Sequence, residues 1–254
     1  FLTYSTNKNE VVKISDETDE LVIWDSGRGV TFVAEEGQPY GVFKSQVPLY
    51  TDSGQPIVTS SGIRKYSDKV EAIGSYQPDW IGSLGSGIGY KKLKFNFLLD
   101  VRQGGKFFSL TKSATEFNGT SMTTLIGDRE PFVVENSVVQ NEDGSYSPNT
   151  QATEAYSYLF DGNYGNHMID ASFIKLREVG LSYSIPNSIT SKLRMSKASI
   201  GIFGKNLKFW LPEENTFADP EIIGPGTVQS NIAGVETTQT PPTKSYGIRL
   251  NVQF

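Results

Sequence analysis

His167 and the acidic residues near it are the first candidates for chemistry. Asp161 and Asp170 flank this histidine, which is the chain's one histidine. A histidine beside two carboxylates could do general acid–base work or bind a metal ion. The surrounding stretch DGNYGNH is rich in Gly and Asn, as polar loops are. We therefore interpret His167 as a solvated loop residue at the mouth of a strand.

The composition excludes most other catalytic and metal chemistry. The chain has no cysteine and a single histidine, which excludes disulfides, thiolate ligands and a zinc site built from several histidines. The formal net charge of −5 argues against a nucleic-acid-binding surface, which needs a basic patch. We expect no enzyme activity, no metal ion and no cofactor.

Two short motifs resemble ion-binding or phosphate-binding loops but lack the required context. NEDGS (141–145) has the Asp, Asn and Gly of a calcium loop without the spaced ligands that end in Glu, and we interpret it as a polar turn. GSLGSGIG (82–89) is followed by YKKLKFNFLL, which predicts a strand, whereas a phosphate loop leads into a helix. We expect these glycines to make the lumen face of a strand small, which relieves crowding there or lets a plug or ligand approach.

Aromatic residues in the polar stretches are candidates for ligand binding, because aromatic rings stack on sugars and grip peptides. The candidates are Tyr156, Tyr158, Tyr164 and Trp210, with Tyr146 of the same character. The alternative for each is ordinary loop packing, or a place in an interfacial belt of aromatic residues.

The elements that must position these residues are strands. Alternation with a period of two is unbroken in SYGIRLNVQF (245–254) and strong in LKFNFLLDVR (93–102). The short link YKKL predicts a hairpin that joins 93–102 to the glycine-rich strand before it. The phase slips near Arg177–Glu178, which indicates a β-bulge, although two strand segments would also fit. Further strands are predicted at 1–14, 30–36, 39–48, 174–185 and 198–202.

The connections between these strands are unequal in length. The segments 103–170 and 211–243 are long and polar, whereas YKKL and PNSITSKLRM are short. Short turns on one side and long loops on the other are typical of outer-membrane β-barrels. No apolar run approaches the roughly 18 residues that a membrane-spanning helix needs. The pattern favours an all-β, antiparallel membrane barrel segment, with a soluble β-sandwich as the alternative.

An ordered series of motifs resembles the C-terminal part of the SusC/RagA family of TonB-dependent outer-membrane transporters. One motif, DASFIKLREVGLSYSIP (170–186), departs from the family pattern at Ala171 and Lys175, where Gly and Arg are usual. The other matching stretches are EEGQPYGVF (35–43), GSYQPDWIGSLGSGIGYKKLKFNFLLDVRQGGKFFSLT (74–111), ASIGIFGKNLKFW (198–210), ADPEI (218–222) and YGIRLNVQF (246–254).

The resemblance implies that residues 1–254 are the C-terminal barrel portion of such a receptor, without its plug domain. The fold implied is part of a 22-stranded transmembrane barrel with short periplasmic turns and long extracellular loops. The function implied is TonB-dependent import of oligosaccharides or peptides across the outer membrane. Because the chain opens on Phe1 within an apparent strand, we expect it to be a piece of a longer or processed protein.

The resemblance also implies partners and one assembly signal. The partners are the remainder of the barrel and plug, a SusD-like surface lipoprotein, TonB through the missing N-terminal part, and the lipid of the outer membrane. Phe254 resembles the terminal aromatic residue by which barrel proteins engage the assembly machinery. The alternative is a place in the interfacial belt of aromatic residues at the strand end, and the two roles are compatible. The alternative function is a secreted β-sandwich that binds carbohydrate or serves in adhesion. The direction in which Leu181, Tyr183, Leu250 and Val252 face would discriminate between the two.

Overall fold

The computed structural model describes residues 1–221 and 232–254. Its strands, in chain order, are β1 Leu2–Ser5, β2 Glu20–Asp25, β3 Val30–Glu35, β4 Val42–Pro48, β5 Ile57–Val58, β6 Tyr66–Ser75, β7 Trp80–Tyr90, β8 Leu93–Gln103, β9 Lys106–Ser109, β10 Phe132–Val133, β11 Val138–Gln140, β12 Tyr146–Pro148, β13 Ala152–Thr153, β14 Met168–Asp170, β15 Phe173–Ser184, β16 Lys197–Trp210, β17 Val235–Glu236 and β18 Ser245–Gln253. The helices are α1 Leu110–Phe117, α2 Ala155–Leu159 and α3 Asn187–Thr190, with 3₁₀ turns at Met122–Arg129, Tyr164–His167 and Ser191–Leu193. None of the helices described is long and apolar enough to cross a membrane.

The largest sheet contains six strands in the order β1-β7-β8-β15-β16-β18, and all neighbours are antiparallel. β7 and β8 form the predicted hairpin, in which Tyr90 pairs with Leu93 across a two-residue turn. Lys91 in this turn has a φ of 54°, as two-residue hairpin turns require. β1 and β18 are edge strands, so the described part of the chain does not close into a barrel by itself.

The phase slip in β15 is a β-bulge within one continuous strand. The register shifts between Leu176 and Glu178 against both neighbours: Arg177 is the extra residue against β8, whereas against β16 the extra residue lies on β16, between Lys205 and Lys208. This insertion places Leu176 and Val179 on the same face, opposite Leu99 and Phe97. The bulge predicted from the sequence is therefore confirmed.

The apolar face of the six-stranded sheet is uncovered. One row of cross-strand neighbours consists of Ile88, Phe95, Leu181, Ile202 and Ile248, and each of these side chains is between 38% and 75% exposed. The next row consists of Tyr90, Leu93, Tyr183, Ile200 and Leu250. These residues do not converge on an interior core, as the β-sandwich alternative requires, and they face outward, as a barrel wall requires.

The opposite face of the sheet carries small and polar residues. Gly180 lies opposite Asn96, and a Cβ at Gly180 would come within 2.6 Å of the Asn96 side-chain oxygen. Gly247 similarly lies beneath the ring of Phe203. At these two positions the absence of a side chain on glycine relieves crowding between neighbouring strands.

The connections at the two ends of this sheet differ as predicted. The ends of β1, β8 and β16 lie beside the starts of β7, β15 and β18, so all the long connections leave from one end. The other end carries the two-residue turn after β7 and the link from β15 to β16, which contains α3 and a 3₁₀ turn. The last residue, Phe254, lies at this short-turn end, because Gln253 pairs with Lys197.

The clusters of buried apolar residues lie in the long connections of the described chain, and the six-stranded sheet contributes few buried apolar residues, such as Phe173 and Ala198. β2, β3, β4 and β6 form a four-stranded sheet, and its inner side contributes to a cluster with the long connections: Val30, Phe32, Phe43, Phe108 and Val235. The segment 103–170 contributes short strands and helices that pack with this four-stranded sheet. We call the packed connections, which are residues 20–75, 103–170 and 232–236, the loop body.

Two sequence predictions at the front of the chain differ from the structure. The predicted strand 1–14 is wrong beyond β1, because residues 6–10 are polar without alternation and only Val11 forms an isolated bridge, with Glu36. The predicted strands 30–36 and 39–48 correspond to β3 and β4. β2 and β6 were not predicted.

Candidate functional site

His167 is buried in the loop body, so its interpretation as a solvated loop residue is wrong. Its side chain is 0% exposed and packs among the rings of Phe108, Phe160 and Tyr164, with centroid distances of 6.3, 5.4 and 5.0 Å. Its Nε2 lies 3.1 Å from Oε2 of Glu116, a buried carboxylate on α1. Its partner comes from a helix far earlier in the chain, which local composition does not reveal.

The two aspartates near His167 in sequence have other partners. Asp161 accepts hydrogen bonds from Tyr66 Oη at 2.6 Å and from Arg64 Nη1 at 3.1 Å. Asp170 accepts from the backbone N–H of Ser172. Burial, reinforced by the hydrogen bond to Asp161, raises the pKa of Tyr66 above its ordinary value. The three sequence neighbours therefore do not form an acid–base site.

Three of the four predicted aromatic residues lie on or near α2, in two separate sets of ring contacts. Tyr156 is 54% exposed and stacks on Phe160 at 5.4 Å between centroids. Phe160 in turn packs edge-on against Tyr164 at 6.5 Å. Tyr158 packs on Phe132 at 5.6 Å. Of the three tyrosines Tyr156 is exposed, whereas Tyr158 and Tyr164 are half-buried.

Cations lie on two of these rings, whereas Trp210 lies elsewhere. The Arg64 guanidinium carbon is 3.7 Å from the Tyr158 ring centroid, and that of Arg28 is 5.3 Å from the Tyr164 centroid.

Trp210 ends β16 opposite Ile174, on the outward apolar face of the sheet, and is 47% exposed. Its position matches that of an interfacial belt residue.

The two short motifs have ordinary structural roles. Asn141 and Ser145 close the turn between β11 and β12 through a 2.8 Å backbone hydrogen bond. The Asp143 carboxylate accepts from the side chain and backbone N–H of Ser145, which lowers the pKa of Asp143. The glycine-rich stretch lies within β7 and leads through a turn into β8, so it is not a phosphate loop.

Sequence reasoning missed an ion-pair network that joins two of the family-like motifs. Lys175 Nζ, on a side chain 4% exposed, lies 3.0 Å from Asp219 Oδ2 and also bonds Glu221. Arg177 bonds Glu221 and, at 2.5 Å, Asp100 of β8. A signal was present: the cations lie two residues apart in IKLRE, and the carboxylates lie two apart in ADPE.

This network holds residues 211–221 against the sheet, and we call this segment the strap. Burial disfavours the ionised form of Glu221, but hydrogen bonds from Arg177 and Lys175 outweigh that effect and lower the pKa of Glu221. Phe217 and Ala218 of the strap pack against the buried cluster around Phe107. The motif ADPEI continues to Ile222, which lies outside the described residues.

A cavity of about 350 Å³ lies beside the network, between the strap and the inner face of the sheet. Its walls include Thr3 of β1, Ser83 of β7 and Arg102 of β8. Pro220 and Glu221 of the strap complete them. Arg102 donates to the backbone oxygen of Tyr76 at 2.7 Å. The non-apolar face of the sheet is thus both charged and concave.

The fold defines a class of structure: a mostly β chain whose six-stranded antiparallel sheet has an uncovered apolar face, with its long connections packed at one end. Comparisons with known proteins identify similar sequences and structures. The chain is 25% identical, over an alignment of 277 residues, to TonB-dependent receptor P26 of Formosa agariphila; the match covers 100% of this chain and 27% of that protein. No protein-family model matches the chain.

Solved structures give the same answer for the fold. The RagAB peptide transporter superposes with a TM-score of 0.65 at 18% identity, over 100% of this chain and 27% of the matched chain. The "open-open" state of the RagAB peptide importer gives a TM-score of 0.62 at 17% identity, over 26% of its chain. The predicted resemblance to a TonB-dependent transporter is therefore confirmed. These relatives are a receptor and transporters, which agrees with the prediction that the chain is not an enzyme.

The chain spans about a quarter of the length of the relatives that it matches. The similarity therefore describes a segment, and the activity, substrates and partners of a whole receptor are matters for proposal.

Proposed function

We propose that this chain is the C-terminal barrel portion of a TonB-dependent receptor that imports nutrients across the outer membrane. It supplies part of the barrel wall, extracellular loops at about 103–170 and 211–243, and the closing strand β18. The observation that carries this proposal is the exposed apolar face of a sheet whose long and short connections lie at opposite ends.

The dimensions of the sheet support a membrane-spanning role. β7 and β8 each contain 11 residues, which span about 36 Å along the strand. A tilt of about 40° reduces this height to roughly 28 Å, close to the apolar band of an outer-membrane barrel. Open strand edges cannot face lipid, so β1 and β18 need neighbouring strands. We assign those strands to the remainder of a 22-stranded barrel.

The rest of the import cycle depends on partners outside this chain. In the family that the chain resembles, a SusD-like surface lipoprotein covers the extracellular mouth, and TonB pulls on the plug to open a path. Oligosaccharides and peptides are both candidate substrates. Tyr156, Tyr158 and Tyr164 are our candidate contacts for captured nutrient. For Trp210 we now favour the membrane interface, because it lies on the outward face.

Phe254 is our candidate assembly signal. It is 89% exposed at the short-turn end of β18, where the assembly machinery could reach it from the periplasmic side. Deleting Phe254 from the complete receptor should lower the amount found in the outer membrane. The control is Phe1→Ala, which also removes one exposed aromatic ring, but from a residue away from the C-terminal end of β18.

The test of the function uses the complete receptor that contains this segment. We expect it in the outer-membrane fraction, with a heat-modifiable shift on gels, and we expect uptake of a labelled oligosaccharide or peptide that stops when TonB is removed. Recovery in the soluble fraction, or uptake that is independent of TonB, would overturn the proposal. Parallel uptake assays with oligosaccharides and with peptides decide between the two substrate classes.

A further inference from the structure

Positive charge is concentrated in the half of the six-stranded sheet that lies nearer the short turns. Three stretches form this half: 85–98, 179–204 and 246–254. They contain seven basic residues, which are Lys91, Lys92, Lys94, Lys192, Arg194, Lys197 and Arg249. None of the chain's 28 acidic residues lies in these stretches, although the chain as a whole has a formal net charge of −5. The charges of this protein are therefore segregated, with the cations at one end of the sheet.

Four of these cations lie in the two short connections. Lys91 and Lys92 form the turn between β7 and β8. Lys192 lies in the 3₁₀ turn of the link from β15 to β16, and Arg194 directly follows that turn. All four residues are exposed, and none of them makes an ion pair within residues 1–221 and 232–254. Their charges are therefore available to a partner.

The two connections are neighbours at the edge of the sheet. The backbone oxygen of Lys92 accepts a hydrogen bond from the N–H of Ser184, the last residue of β15, at 2.8 Å. From β7 to β16 the sheet extends over three strand spacings, or about 14 Å. The four cations therefore belong to one edge, and we call Lys91, Lys92, Lys192 and Arg194 the basic rim.

The other cations of this half project from the non-apolar face. Lys94 pairs with Ser182, and Arg249 pairs with Gly201. Lys197 lies in the same face, since it is two residues from Ser199, which pairs with Ser184. These three side chains are exposed on the inner side of the wall. They are separate from the basic rim, which continues the sheet beyond its last paired residues.

Exposed apolar side chains border the basic rim. Tyr90 and Leu93 pair with each other on the outward face, next to the turn, and Lys91 Nζ lies 5.3 Å from the centroid of the Tyr90 ring. In the link between β15 and β16, Leu193 is 61% exposed between Lys192 and Arg194. Basic side chains beside exposed rings and aliphatic groups are typical of the boundary between a membrane and water.

The chemistry of the basic rim fits the phosphate groups of lipids. Ammonium and guanidinium groups form charge-assisted hydrogen bonds with phosphate oxygens, and clustered basic residues at a membrane surface attract anionic lipids. The rim adjoins the outward apolar face, so hydrocarbon on that face places lipid headgroups beside it. An acidic protein surface inside the wall would instead meet Lys94, Lys197 and Arg249. The position of the rim therefore favours lipid.

We propose that the basic rim binds the phosphate-bearing headgroups of anionic phospholipids in the leaflet at the short-turn end. Tyr90 and Leu193 lie in the adjacent apolar layer and hold the edge of the wall at the depth of the headgroups. The proposal rests on the proposed function, because lipid reaches the rim only if it covers the outward face.

The test measures which lipids the complete receptor retains. The receptor, purified in detergent, is mixed with equal amounts of phosphatidylglycerol and phosphatidylcholine that carry the same acyl chains. It is then purified again, and the retained lipids are counted by mass spectrometry. We expect phosphatidylglycerol to be retained about fivefold or more over phosphatidylcholine, and we expect that ratio to fall when the second purification uses more salt. Equal retention of the two lipids at low salt would overturn the proposal.

Two variants with equal losses of charge locate the binding. The rim variant should reduce the retention ratio to about one, because the charges that select an anionic headgroup are gone. It combines Lys91→Gln, Lys92→Gln, Lys192→Gln and Arg194→Gln. The inner-face control should keep the wild-type ratio. It combines Lys94→Gln, Lys197→Gln, Lys205→Gln and Arg249→Gln, all at exposed positions. A ratio that is lost in the control and kept in the rim variant would assign the selectivity to the inner face and overturn the proposal.

The outcome can be separated from failure of the proposed function. A receptor that reaches the outer membrane and imports nutrient, but retains both lipids equally, overturns only the assignment of the basic rim. If the rim variant loses the heat-modifiable gel shift, two half variants provide the decision in folded protein. One combines Lys91→Gln with Lys92→Gln, and the other combines Lys192→Gln with Arg194→Gln. Each should give a ratio between that of wild type and one, and a wild-type ratio in both would contradict the proposal.

Discussion

At the residue scale, the charges that matter most lie on the inner side of β15. Lys175 is buried with two carboxylate partners, and Arg177, the bulge residue, joins the same network. The two cations are two residues apart, so their side chains project from the same face of the strand and both reach Glu221 of the strap. The network therefore positions the strap, which forms one wall of the cavity on the inner face of the sheet.

Replacing Lys175 tests this positioning role. Lys175→Met removes the partner of Asp219, whose side chain is 4% exposed, and removing one member of a buried pair costs about 3–5 kcal/mol. We expect faster amide hydrogen exchange over 211–221 in the complete receptor, with the sheet unchanged. Lys94→Met is the control, because Lys94 lies exposed on the inner side of β8 and makes no ion pair within the described chain. Unchanged exchange in Lys175→Met would show that packing alone holds the strap.

The lowered pKa of Glu221 predicts how the strap responds to acid. A carboxylate whose pKa is lower in the folded state stabilises that state above its unfolded pKa of about 4.5. That contribution is lost as the pH falls through the lowered folded value. We expect protection of the strap to be constant near neutral pH and to decrease only in this acidic range. In Glu221→Gln the acid-dependent part of the decrease should disappear, and a decrease of equal size in that variant would contradict the assignment to Glu221.

Residue-level predictions from the sequence succeeded where the relevant contacts are local. NEDGS forms a turn through neighbours within a few positions, so composition was sufficient to interpret it. His167 was misjudged because its burial depends on Glu116 and Phe108, which lie on a distant helix and strand.

At the element scale, alternation was informative because each long strand has two different environments. One face of β8, β15 and β18 is apolar and uncovered, and the other face carries small, polar and charged residues. The sequence of each strand therefore alternates with a period of two, and the bulge in β15 is visible as a break in that alternation. β2 and β6 were missed because they belong to the loop body. ELVIWD is almost continuously apolar, and YSDKVEAIGS mixes polar and apolar residues on both faces.

The outward face gives a direct prediction for a single strand. Ile202 lies five residues from the short-turn end of β16, or about 13 Å along the membrane normal for a tilt of about 40°. Ile202→Lys therefore places a charge near the middle of the apolar band, at a cost of about 2–4 kcal/mol. We expect less folded receptor in the outer membrane, measured by the heat-modifiable gel shift.

The opposite face provides the matched control for that substitution. Asn251→Lys lies on β18 opposite Ser199, on the non-apolar face, and should leave the amount of folded receptor within error of wild type. A larger loss for Asn251→Lys than for Ile202→Lys would reverse the assignment of the two faces.

At the scale of the whole molecule, the buried apolar residues are not located where they would stabilise the largest sheet as an independent domain. Its buried cluster lies in the loop body, whereas the six-stranded sheet has an uncovered apolar face and two open edges. Large exposed apolar surfaces and unpaired strand edges promote association. Both features become favourable only when lipid covers the face and further strands cover the edges.

Residues 1–254 expressed alone should therefore not form a stable monomeric barrel. We expect aggregation without detergent, because β1 and β18 lack partners and side chains such as Ile248, 75% exposed, have no cover. Size-exclusion chromatography with circular dichroism measures this, and the complete receptor in detergent, which supplies the missing strands, should give a single folded species. A detergent-free, monodisperse, β-rich monomer of the isolated chain would show that the exposed face and edges can be satisfied within the chain. It would thereby remove the main reason for assigning the chain to a larger barrel.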